Sequence, residues 1–476
     1  MPTQSAEKIR PAETGDAVPV PGASLRGWLD YLQRQERLAI VREGVALRFE
    51  LAAIAKRLDG IKATFFPRPG GHPVSVVSGL VSDRGWIAEA IGVGEASLLD
   101  KFEQAALHPV PWCEVKTAQV QQNVHREVDL AKLLPVPTHN ELDNGPYITA
   151  GLAITRNPKS GIQNVSIHRL ELTGPNRLGA LLLQRTTLYY QQMLEAEGKD
   201  LPVAIVIGVD PLTLLASQAI MPSNCDELEI AGALRGRPLD VVKCLSNDIR
   251  VPADAEIVLE GRVLANVREP EGPFGEFPQY YGERGDRHVI VIDAVTHRAS
   301  PLYHTISGGG LEHLVLGAIP REATMLAHLR RSFPNVTDVR LSPGGVCRYH
   351  LYVQMKKRFE GEAKNVIMGA FAGHYDVKQV IVVDTDVDIH NPAEVEWAVA
   401  TRSQADRDLV VVPHAQGSRL DPSADHGVSA KLGIDATIPL DAPPLRFKRI
   451  RIPGEETVDL AAVIATHDNR GWRQFE

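Results

Sequence analysis

The chain has 476 residues, 44% of them apolar and 23% charged, which is ordinary globular composition, and its length predicts two to four domains. Its 59 acidic and 51 basic side chains give a formal net charge of -8, which excludes the overall positive field that attracts nucleic acid or anionic lipid. The 4 cysteines are scattered without a paired spacing, and no run approaches the ~20 apolar residues of a membrane span, so we expect reduced thiols and a cytoplasmic location.

The first part of the chain combines helical and strand patterns. Residues 1–22 are rich in proline, alanine and charge, and predict a flexible leader. The run LRGWLDYLQRQERLAIV then places apolar residues at helical spacing before a short strand, FELAAIAKRL has the pattern of a second amphipathic helix, and HPVSVVSGLV reads as a strand. These elements predict an N-terminal α/β domain over residues 23–117.

The middle of the chain, residues 118–322, is dominated by short apolar runs with turn signals, such as ITAGLAITRN, VAIVIGVD and HVIVIDAVTH. Strands this numerous and this close predict a barrel or sandwich, which two helical insertions around TTLYYQQMLEAEG and SNCDELEIAGAL would split. After the glycines at 308–310, alternating helices and strands predict a C-terminal α/β domain over residues 323–476. The expected fold is therefore multidomain, of the α+β or α/β class.

Two segments carry residues suited to chemistry. In EGPFGEF, Glu271 and Glu276 bracket a loop shaped by glycine and proline, and two such carboxyl groups can share acid and base roles. In NVSIHRLEL, strict alternation places Asn164, Ser166 and His168 on one face and Arg169 on the apolar face. An arginine buried there needs an anionic partner, such as Glu271. The alternatives are solvated loop glutamates and an arginine that reaches solvent at a barrel rim.

The motifs NVSIHR, DELEIAGAL and EGPFGE, in this order and spacing, resemble those of UbiD-type decarboxylases, as do AVATRSQADRDLVVVP and SAKLGIDAT. The resemblance covers residues from about 23 to about 470. It implies loss of CO2 from an unsaturated or aromatic acid through a covalent adduct with prenylated FMN, which a flavin prenyltransferase supplies. It also implies a flavin reductase-like split barrel that holds the cofactor, and a C-terminal oligomerisation domain that forms a homodimer or homohexamer.

The same resemblance assigns site residues. It makes Arg169, Glu271 and Glu276 the catalytic network, with Glu276 as the acid that delivers the proton replacing CO2. It places a divalent ion, Mn2+ or Mg2+, on Asn164, Glu227 and Gln184, where the family commonly has a histidine, and K+ near Ala216 and Ser217. The positions matching cofactor contacts are Ser166, Ile167, His168, Arg169, Gln184, Arg185, Ser217 and Lys431. Lys431 would neutralise the phosphate, and its alternative is a surface lysine.

The segment SGGGLEHLVLGAIPRE suggests the substrate. His313 and Arg321 lie eight residues apart with a predicted loop at Ala318–Pro320 between them, and this spacing resembles members that act on furandicarboxylate or pyrrole-2-carboxylate. The resulting hypothesis is reversible decarboxylation of a heteroaromatic acid, furandicarboxylate first and pyrrole-2-carboxylate second. Open alternatives are a cinnamate-like or hydroxybenzoate-like substrate, a flavin reductase-like oxidoreductase, a non-catalytic subunit, and a surface role for His313 and Arg321.

Overall fold

A computed structural model describes residues 20–183, 185–221 and 224–464. Residues 1–19 of the predicted leader, and the predicted ligand Gln184, lie outside the described residues. None of the helices in the described ranges is long and apolar enough to cross a membrane. The α-helices in these ranges are α1 Leu25–Arg34, α2 Glu50–Leu58, α3 Arg84–Ile91, α4 Leu98–Leu107, α5 Leu130–Leu133, α6 Thr186–Glu195, α7 Pro211–Ala216, α8 Glu227–Arg235, α9 Leu311–Ser332, α10 Glu362–Gly373, α11 Pro392–Arg402 and α12 Leu460–Val463.

The strands form several sheets, which together with the helices make a mixed α/β multidomain fold. In chain order they are β1 Leu38–Ile40, β2 Ala63–Phe66, β3 Ser75–Ser78, β4 Cys113–Glu114, β5 Asn123–His125, β6 Tyr147–Ile148, β7 Leu152–Arg156, β8 Gln163–Ile167, β9 Leu170–Gly174, β10 Arg177–Ala180, β11 Leu201–Ile207, β12 Asp240–Lys243, β13 Arg250–Pro252, β14 Ile257–Glu271, β15 Phe274–Gly275, β16 Tyr281–Gly282, β17 Gly285–His297, β18 Leu302–His304, β19 Val336–Leu341, β20 His350–Met355, β21 Gln379–Asp384, β22 Leu409–Gln416 and β23 Val428–Ala436.

The N-terminal sheet has the order β1-β2-β3-β18, so it takes its last strand from a segment more than 200 residues further along the chain. Helix α1 packs beside it through Leu25, Trp28 and Leu32, which recur at helical spacing and are buried. The Trp28 indole donates to the Leu80 carbonyl oxygen at 2.9 Å, which satisfies the one polar atom of this buried ring.

The central sheet is antiparallel and runs in the order β6-β9-β10-β17-β14-β11-β7-β8, with β5 attached to β17. Strands β8 and β9 lie six places apart in this order, about 29 Å in a flat sheet. Only His168 and Arg169 connect them, and the three Cα–Cα steps from Ile167 to Leu170 span at most about 11 Å. The sheet must therefore curl until its two ends approach, which makes the half-barrel that the strand-rich pattern predicted.

Both faces of the curled sheet are covered, as β11 illustrates. Val203, Ile205 and Ile207 pack in one apolar cluster inside the curl, while Ala204 and Val206 belong to a second cluster that continues into the N- and C-terminal regions. Side chains alternate between the two faces of a strand, so this strand must be apolar throughout. The continuous run VAIVI in the sequence has this origin.

The C-terminal region contains a five-stranded mixed sheet in the order β19-β20-β21-β23-β22. It is joined to β18 of the N-terminal sheet by α9, which runs without interruption over 22 residues although it contains Pro320. The predicted loop at Ala318–Pro320 is therefore wrong. A proline inside a helix costs about 3 kcal/mol, but burial of a large aliphatic side chain contributes about 1.5–3 kcal/mol, and Leu316 and Ile319 are both buried.

The backbones of the two longest strands, β14 and β17, approach closely at Gly261, where their pairing shifts register. We expect Gly261→Ala to lower the free energy of unfolding by about 1–3 kcal/mol, because the added methyl would lie 2.1 Å from the Val291 carbonyl oxygen. Gly94→Ala is the matched control, since no atom lies within 4 Å of its added methyl. Denaturant unfolding measures both variants, and equal losses would contradict this account of the strand pair.

Candidate active site

Arg169 lies at the seam where the two ends of the curled sheet meet. Its guanidinium Nη2 donates to Glu271 Oε2 at 2.7 Å, and its Nη1 donates to Glu276 Oε1. The side chain is 7% exposed, and its guanidinium carbon lies 5.3 Å from the centre of the Phe274 ring. The structure thus joins the arginine and the two glutamates that the sequence singled out, and neither the solvated-glutamate nor the rim-arginine alternative holds.

The β15–β16 hairpin carries Glu276, and close backbone packing fixes its position. Gly275 N donates to Asp143 Oδ1 at 2.8 Å, and a Cβ at Gly275 would lie 2.4 Å from the Asn140 side chain. On the other side, a Cβ at Gly308 would lie 2.2 Å from the Gly275 carbonyl oxygen. The glycines of EGPFGEF and of the 308–310 run therefore allow the hairpin and the start of α9 to approach closely.

Burial dominates the electrostatics of this network. It raises the pKa of Glu276 above its ordinary value, against the opposing effect of Arg169, and Glu271 and Asp143 add to the rise. For Arg169 burial alone would lower the pKa, but the two carboxylates outweigh it and the pKa is raised. The arrangement holds one cation, Arg169, between the two carboxyl groups of Glu271 and Glu276.

A second polar cluster lies on β8. Asn164, Ser166 and His168 alternate along the strand as predicted, and their side chains meet at the Thr187 hydroxyl, with distances of 3.4 Å, 3.2 Å and 3.4 Å. Ser166 Oγ also lies 3.0 Å from His168 Nε2. Burial lowers the pKa of His168 to about 4, so its imidazole is neutral at physiological pH.

Glu227 begins α8 and lies against the same strand. Its Oε2 accepts a hydrogen bond from Val165 N at 2.8 Å, and burial raises the pKa of its carboxyl group to about 8. Among the described residues no lysine, arginine or histidine forms a salt bridge with it. The same ranges contain no group of three histidine, cysteine, aspartate or glutamate side chains suited to a metal ion. Any cation here would therefore need amide or hydroxyl oxygens beside Glu227.

A cationic pocket lies beside the hairpin, on one face of α9. His313, Gly317 and Arg321 are spaced by four residues, and a Cβ at Gly317 would lie 1.9 Å from Arg348 Nη2, so the glycine makes room for a second arginine. The guanidinium groups of Arg321 and Arg348 are buried and donate to the carbonyl oxygens of Gly317 and Cys347. Burial lowers the pKa of both, and the charge of Arg348 lowers that of Arg321 further.

No carboxylate in the described ranges forms a salt bridge with Arg321 or Arg348. His313 is partly buried, and burial followed by the charges of Arg348 and Arg321 lowers its pKa to about 3. The Phe277 ring, which follows Glu276 directly, lies 6.2 Å from the His313 ring and 5.4 Å from the Arg348 guanidinium carbon. Phe277 therefore brings the glutamate hairpin into contact with the cationic pocket. Arg321 is buried, so the surface role considered for it is wrong.

Arg185 and Lys431 occupy the edge of this region. Arg185 Nη2 donates to the Tyr375 hydroxyl at 3.2 Å, and its charge contributes to lowering the pKa of both His168 and Arg321, so it lies between the two clusters. Lys431 is buried, and its ammonium donates to the carbonyl oxygens of Tyr375 and Val377 at 2.9 Å and 2.6 Å. The surface alternative for Lys431 is therefore wrong.

The remaining predicted site residues make fewer contacts with these clusters. Ala216 and Ser217 are buried at the end of α7, and Ser217 Oγ donates to the Leu214 carbonyl oxygen at 2.7 Å. No hydrogen bond within the described ranges joins Ser217 to the β8 cluster. Ile167 ends β8 and is partly buried against the main core. The predicted ligand Gln184 lies outside the described residues.

Four residues near the site were missed by sequence reasoning. Tyr147 and Glu171 hydrogen-bond beside Glu271, Thr187 joins the β8 cluster, and Arg348 completes the cationic pocket. A signal existed for Glu171, because it lies two residues after Arg169 and alternation puts both on the same face. The other three come from distant segments that only the fold brings close.

Family models for the three parts of one protein family match most of the chain. The N-terminal domain of 3-octaprenyl-4-hydroxybenzoate carboxy-lyase matches residues 29–106, its Rift-related domain matches residues 113–311, and its C-terminal domain matches residues 314–436. Among curated relatives, anhydromevalonate phosphate decarboxylase of Methanothermobacter thermautotrophicus is 37% identical over 90% of this chain and 99% of its own length.

Solved structures agree with these matches. The UbiD-class enzyme HmfF from Pelotomaculum thermopropionicum, in complex with FMN, is 50% identical over 93% of this chain and all of its own, with a TM-score of 0.91. An evolved dimeric form of that enzyme contains prenylated FMN (47%, 93% of this chain and 100% of its own, TM-score 0.87). The apo 3,4-dihydroxybenzoic acid decarboxylase of Enterobacter cloacae is 30% identical over 93% of this chain and 99% of its own, with a TM-score of 0.86. The chain belongs to the UbiD family of prenylated-FMN-dependent decarboxylases and is a carboxy-lyase.

Proposed function

We propose that this enzyme reversibly decarboxylates a heteroaromatic carboxylic acid, with the diacid furandicarboxylate the first candidate and the monoacid pyrrole-2-carboxylate the second. The observation that carries the proposal is the buried pair Arg321 and Arg348, which forms no salt bridge in the described chain and has Asp376 as the only carboxylate whose charge acts on both guanidinium groups. A buried guanidinium without an anion is costly, so a bound anion is the natural partner. A second carboxylate on the substrate would supply it.

We further propose that the curled barrel holds prenylated FMN in the manner of flavin reductase-like barrels. The donors around it fit such a group: neutral hydroxyl and imidazole groups on β8, and the cationic Arg185 between the two clusters. Ser166, Ile167, His168, Arg185 and Ser217 would contact the flavin or its phosphate, and Lys431 would add positive charge. When bound, prenylated FMN supplies the electron sink for C–CO2 cleavage.

The proposed divalent ion, Mn2+ or Mg2+, would be held by Asn164, Glu227 and Gln184, with K+ near Ala216 and Ser217. Support for the divalent site comes from Glu227, a carboxyl group whose pKa burial raises to about 8 and which forms no salt bridge in the described chain. Oxygen ligands of this kind suit hard cations. The ion would also link Glu227 to the phosphate of the cofactor.

The roles of the network follow from its charges. Burial raises the pKa of Glu276, which lies in the hairpin beside the cationic pocket, so its carboxyl group is suited to give a proton to the carbon that loses CO2. Arg169 neutralises the carboxylate that Glu276 becomes, and Glu271 fixes the guanidinium in position through its 2.7 Å salt bridge. His313, Arg321 and Arg348 would hold the substrate's carboxylates.

Anhydromevalonate phosphate is a second candidate substrate, because four curated relatives carry that name and a phosphate would also satisfy the unpaired arginines. A CO2-release assay with reconstituted holoenzyme separates the candidates. We expect furandicarboxylate to give the highest kcat/KM in a panel with pyrrole-2-carboxylate, anhydromevalonate phosphate, 3,4-dihydroxybenzoate and cinnamate. A highest value for anhydromevalonate phosphate would replace the substrate assignment.

We expect Glu276→Gln to reduce kcat by at least about 100-fold, because glutamine keeps the shape and the hydrogen bond from Arg169 but has no proton to give. Bound cofactor, read from the absorption spectrum, and thermal stability should change little. Glu283→Gln, at an exposed position directly after β16, is the matched control and should keep wild-type activity. Wild-type turnover by Glu276→Gln would remove the proposed acid.

The pH dependence follows from the raised pKa of Glu276. The protonated form is the active one, so kcat/KM should be constant at low pH and fall as pH rises through that pKa, at a higher pH than the ~4.3 of an ordinary glutamate. The descending limb of this pH profile is measured from rates over a pH series, with a substrate that stays ionised throughout. A rate that rises with pH across this range would show that Glu276 acts as a base.

We expect Glu227→Gln to weaken Mn2+ binding by about 10-fold or more, because it removes the only charged ligand of the proposed site. Isothermal titration of the metal-free protein measures this directly, and cofactor retention after gel filtration should fall in parallel. Asp240→Asn, an exposed carboxylate of β12, is the control. Equal Mn2+ affinity in Glu227→Gln and wild type would place the metal elsewhere.

We expect Arg321→Met to raise KM for furandicarboxylate by about 10-fold to 100-fold, because it removes a charged donor to the second carboxylate. The KM for furoate in the reverse, carboxylating direction should change much less, since furoate has one carboxylate. Arg331→Met, on an exposed position of the same helix, controls for helix effects. Equal loss for diacid and monoacid would assign Arg321 a purely structural role.

A further inference from the structure

Tyr147 bridges two buried carboxyl groups beside the catalytic network. Its hydroxyl oxygen lies 2.9 Å from Glu171 Oε2 and 3.1 Å from Glu271 Oε1. Both glutamates are buried, with 3% and 0% exposure. Burial, followed by the charges of Glu271 and Glu171, raises the pKa of Tyr147 far above its ordinary value, so the hydroxyl stays protonated.

The bridge has two short contacts but only one tyrosine proton. A phenol can donate one hydrogen bond, so if both carboxyl groups were ionised, one contact would place an anion against an oxygen lone pair. In a water-poor interior such a contact is unfavourable, and a second proton on one carboxyl group removes it. The geometry therefore requires two protons between the three oxygens.

The partners of each carboxyl group show where the second proton lies. Of the two, Glu271 is the one that pairs with a cation, because it accepts from the Arg169 guanidinium at 2.7 Å. Glu171 accepts from neutral donors, the Gly272 backbone N–H at 2.9 Å and the Asn144 amide. The nearby Arg284 guanidinium donates to Asn144 Oδ1 at 3.2 Å and not to Glu171.

We propose that Glu171 is a positioning residue that holds a proton in the resting enzyme and passes it through Tyr147 to Glu271 when Glu276 ionises. Glu171 O–H would donate to the Tyr147 oxygen, and Tyr147 O–H would donate to Glu271. In the transfer the Tyr147 O–H bond breaks as the Glu271 O–H bond forms, and the Glu171 O–H bond breaks as the new Tyr147 O–H bond forms. One proton moves from Glu171 to Glu271, and no electrons are exchanged.

The transfer solves a charge problem of the proposed reaction. When Glu276 gives its proton to the product carbon, Glu276 and Glu271 would both be anionic against the single cation Arg169. After the shift Glu271 is neutral, Arg169 pairs with Glu276 alone, and the negative charge rests on Glu171, where three donors receive it. This inference rests on the proposed role of Glu276 as the acid.

Infrared difference spectroscopy of the resting holoenzyme tests the stored proton without turnover. We expect wild type minus Glu171→Gln to contain a protonated-carboxyl band that shifts in D2O and is distinct from the band lost in Glu276→Gln. Glu283→Gln, which removes an exposed carboxylate, should retain both bands. A Glu171→Gln spectrum that keeps every protonated-carboxyl band of the wild type would overturn the proposal.

Single-turnover kinetics test the transfer. In Tyr147→Phe and Glu171→Gln the rate should fall about 10-fold or more with KM nearly unchanged, and the alkaline limb should move to higher pH, because Glu276 must then ionise beside an anionic Glu271. A merely structural role would not move the limb, so an unmoved limb would overturn the transfer. If no acid in the panel were decarboxylated, the proposed function would fail while the infrared band still decided the stored proton.

Discussion

The two-residue connection between β8 and β9 is the constraint on which the site depends. Consecutive strands at nearly opposite ends of a sheet force that sheet to curl, and the residues that make the connection, His168 and Arg169, must lie at the seam. One of them faces the polar β8 cluster, and the other faces the two glutamates. The barrel closure thereby divides the site into a side suited to a cofactor and a side suited to proton transfer.

Charge is distributed unevenly around this seam. The side around Arg169 has three buried glutamates and one arginine, whereas the pocket formed by α9 and the segment before β20 has two buried arginines that form no salt bridge in the described chain. On each side, the concentration of like charge is energetically unfavourable in the protein alone, and a different process offsets it. Protonation relieves the glutamates, and an anionic ligand relieves the arginines. This uneven distribution of charge suits an enzyme that binds and decarboxylates an anionic acid.

The sequence predicted those parts of the site that lie within short motifs. Alternation along NVSIHRLEL separated Arg169 from Asn164 and correctly demanded an anionic partner for it, and the glycine-rich EGPFGEF marked a shaped loop. The mixed α/β fold and the curled central sheet also followed from the local patterns.

Features set by tertiary packing were not predictable in this way. The helix through Pro320 persists because its neighbours are buried, and Lys431 is buried because β23 is an inner strand of its sheet, which a local pattern does not reveal. Arg348 enters the site only because Gly317, on another element, leaves room for it. Tyr147 reaches Glu271 because β6 pairs with β9, and sequence reasoning had no signal for that pairing.

The central claim is that an acid at the seam replaces CO2 by a solvent-derived proton on the substrate carbon. The most direct measurement is reaction of the reconstituted holoenzyme with furandicarboxylate in D2O, followed by NMR of the product. We expect one deuterium per CO2 released, located at the carbon that carried the lost carboxylate. With Glu276→Gln we expect no deuterated product. Product without deuterium at that carbon, or full incorporation by Glu276→Gln, would contradict it.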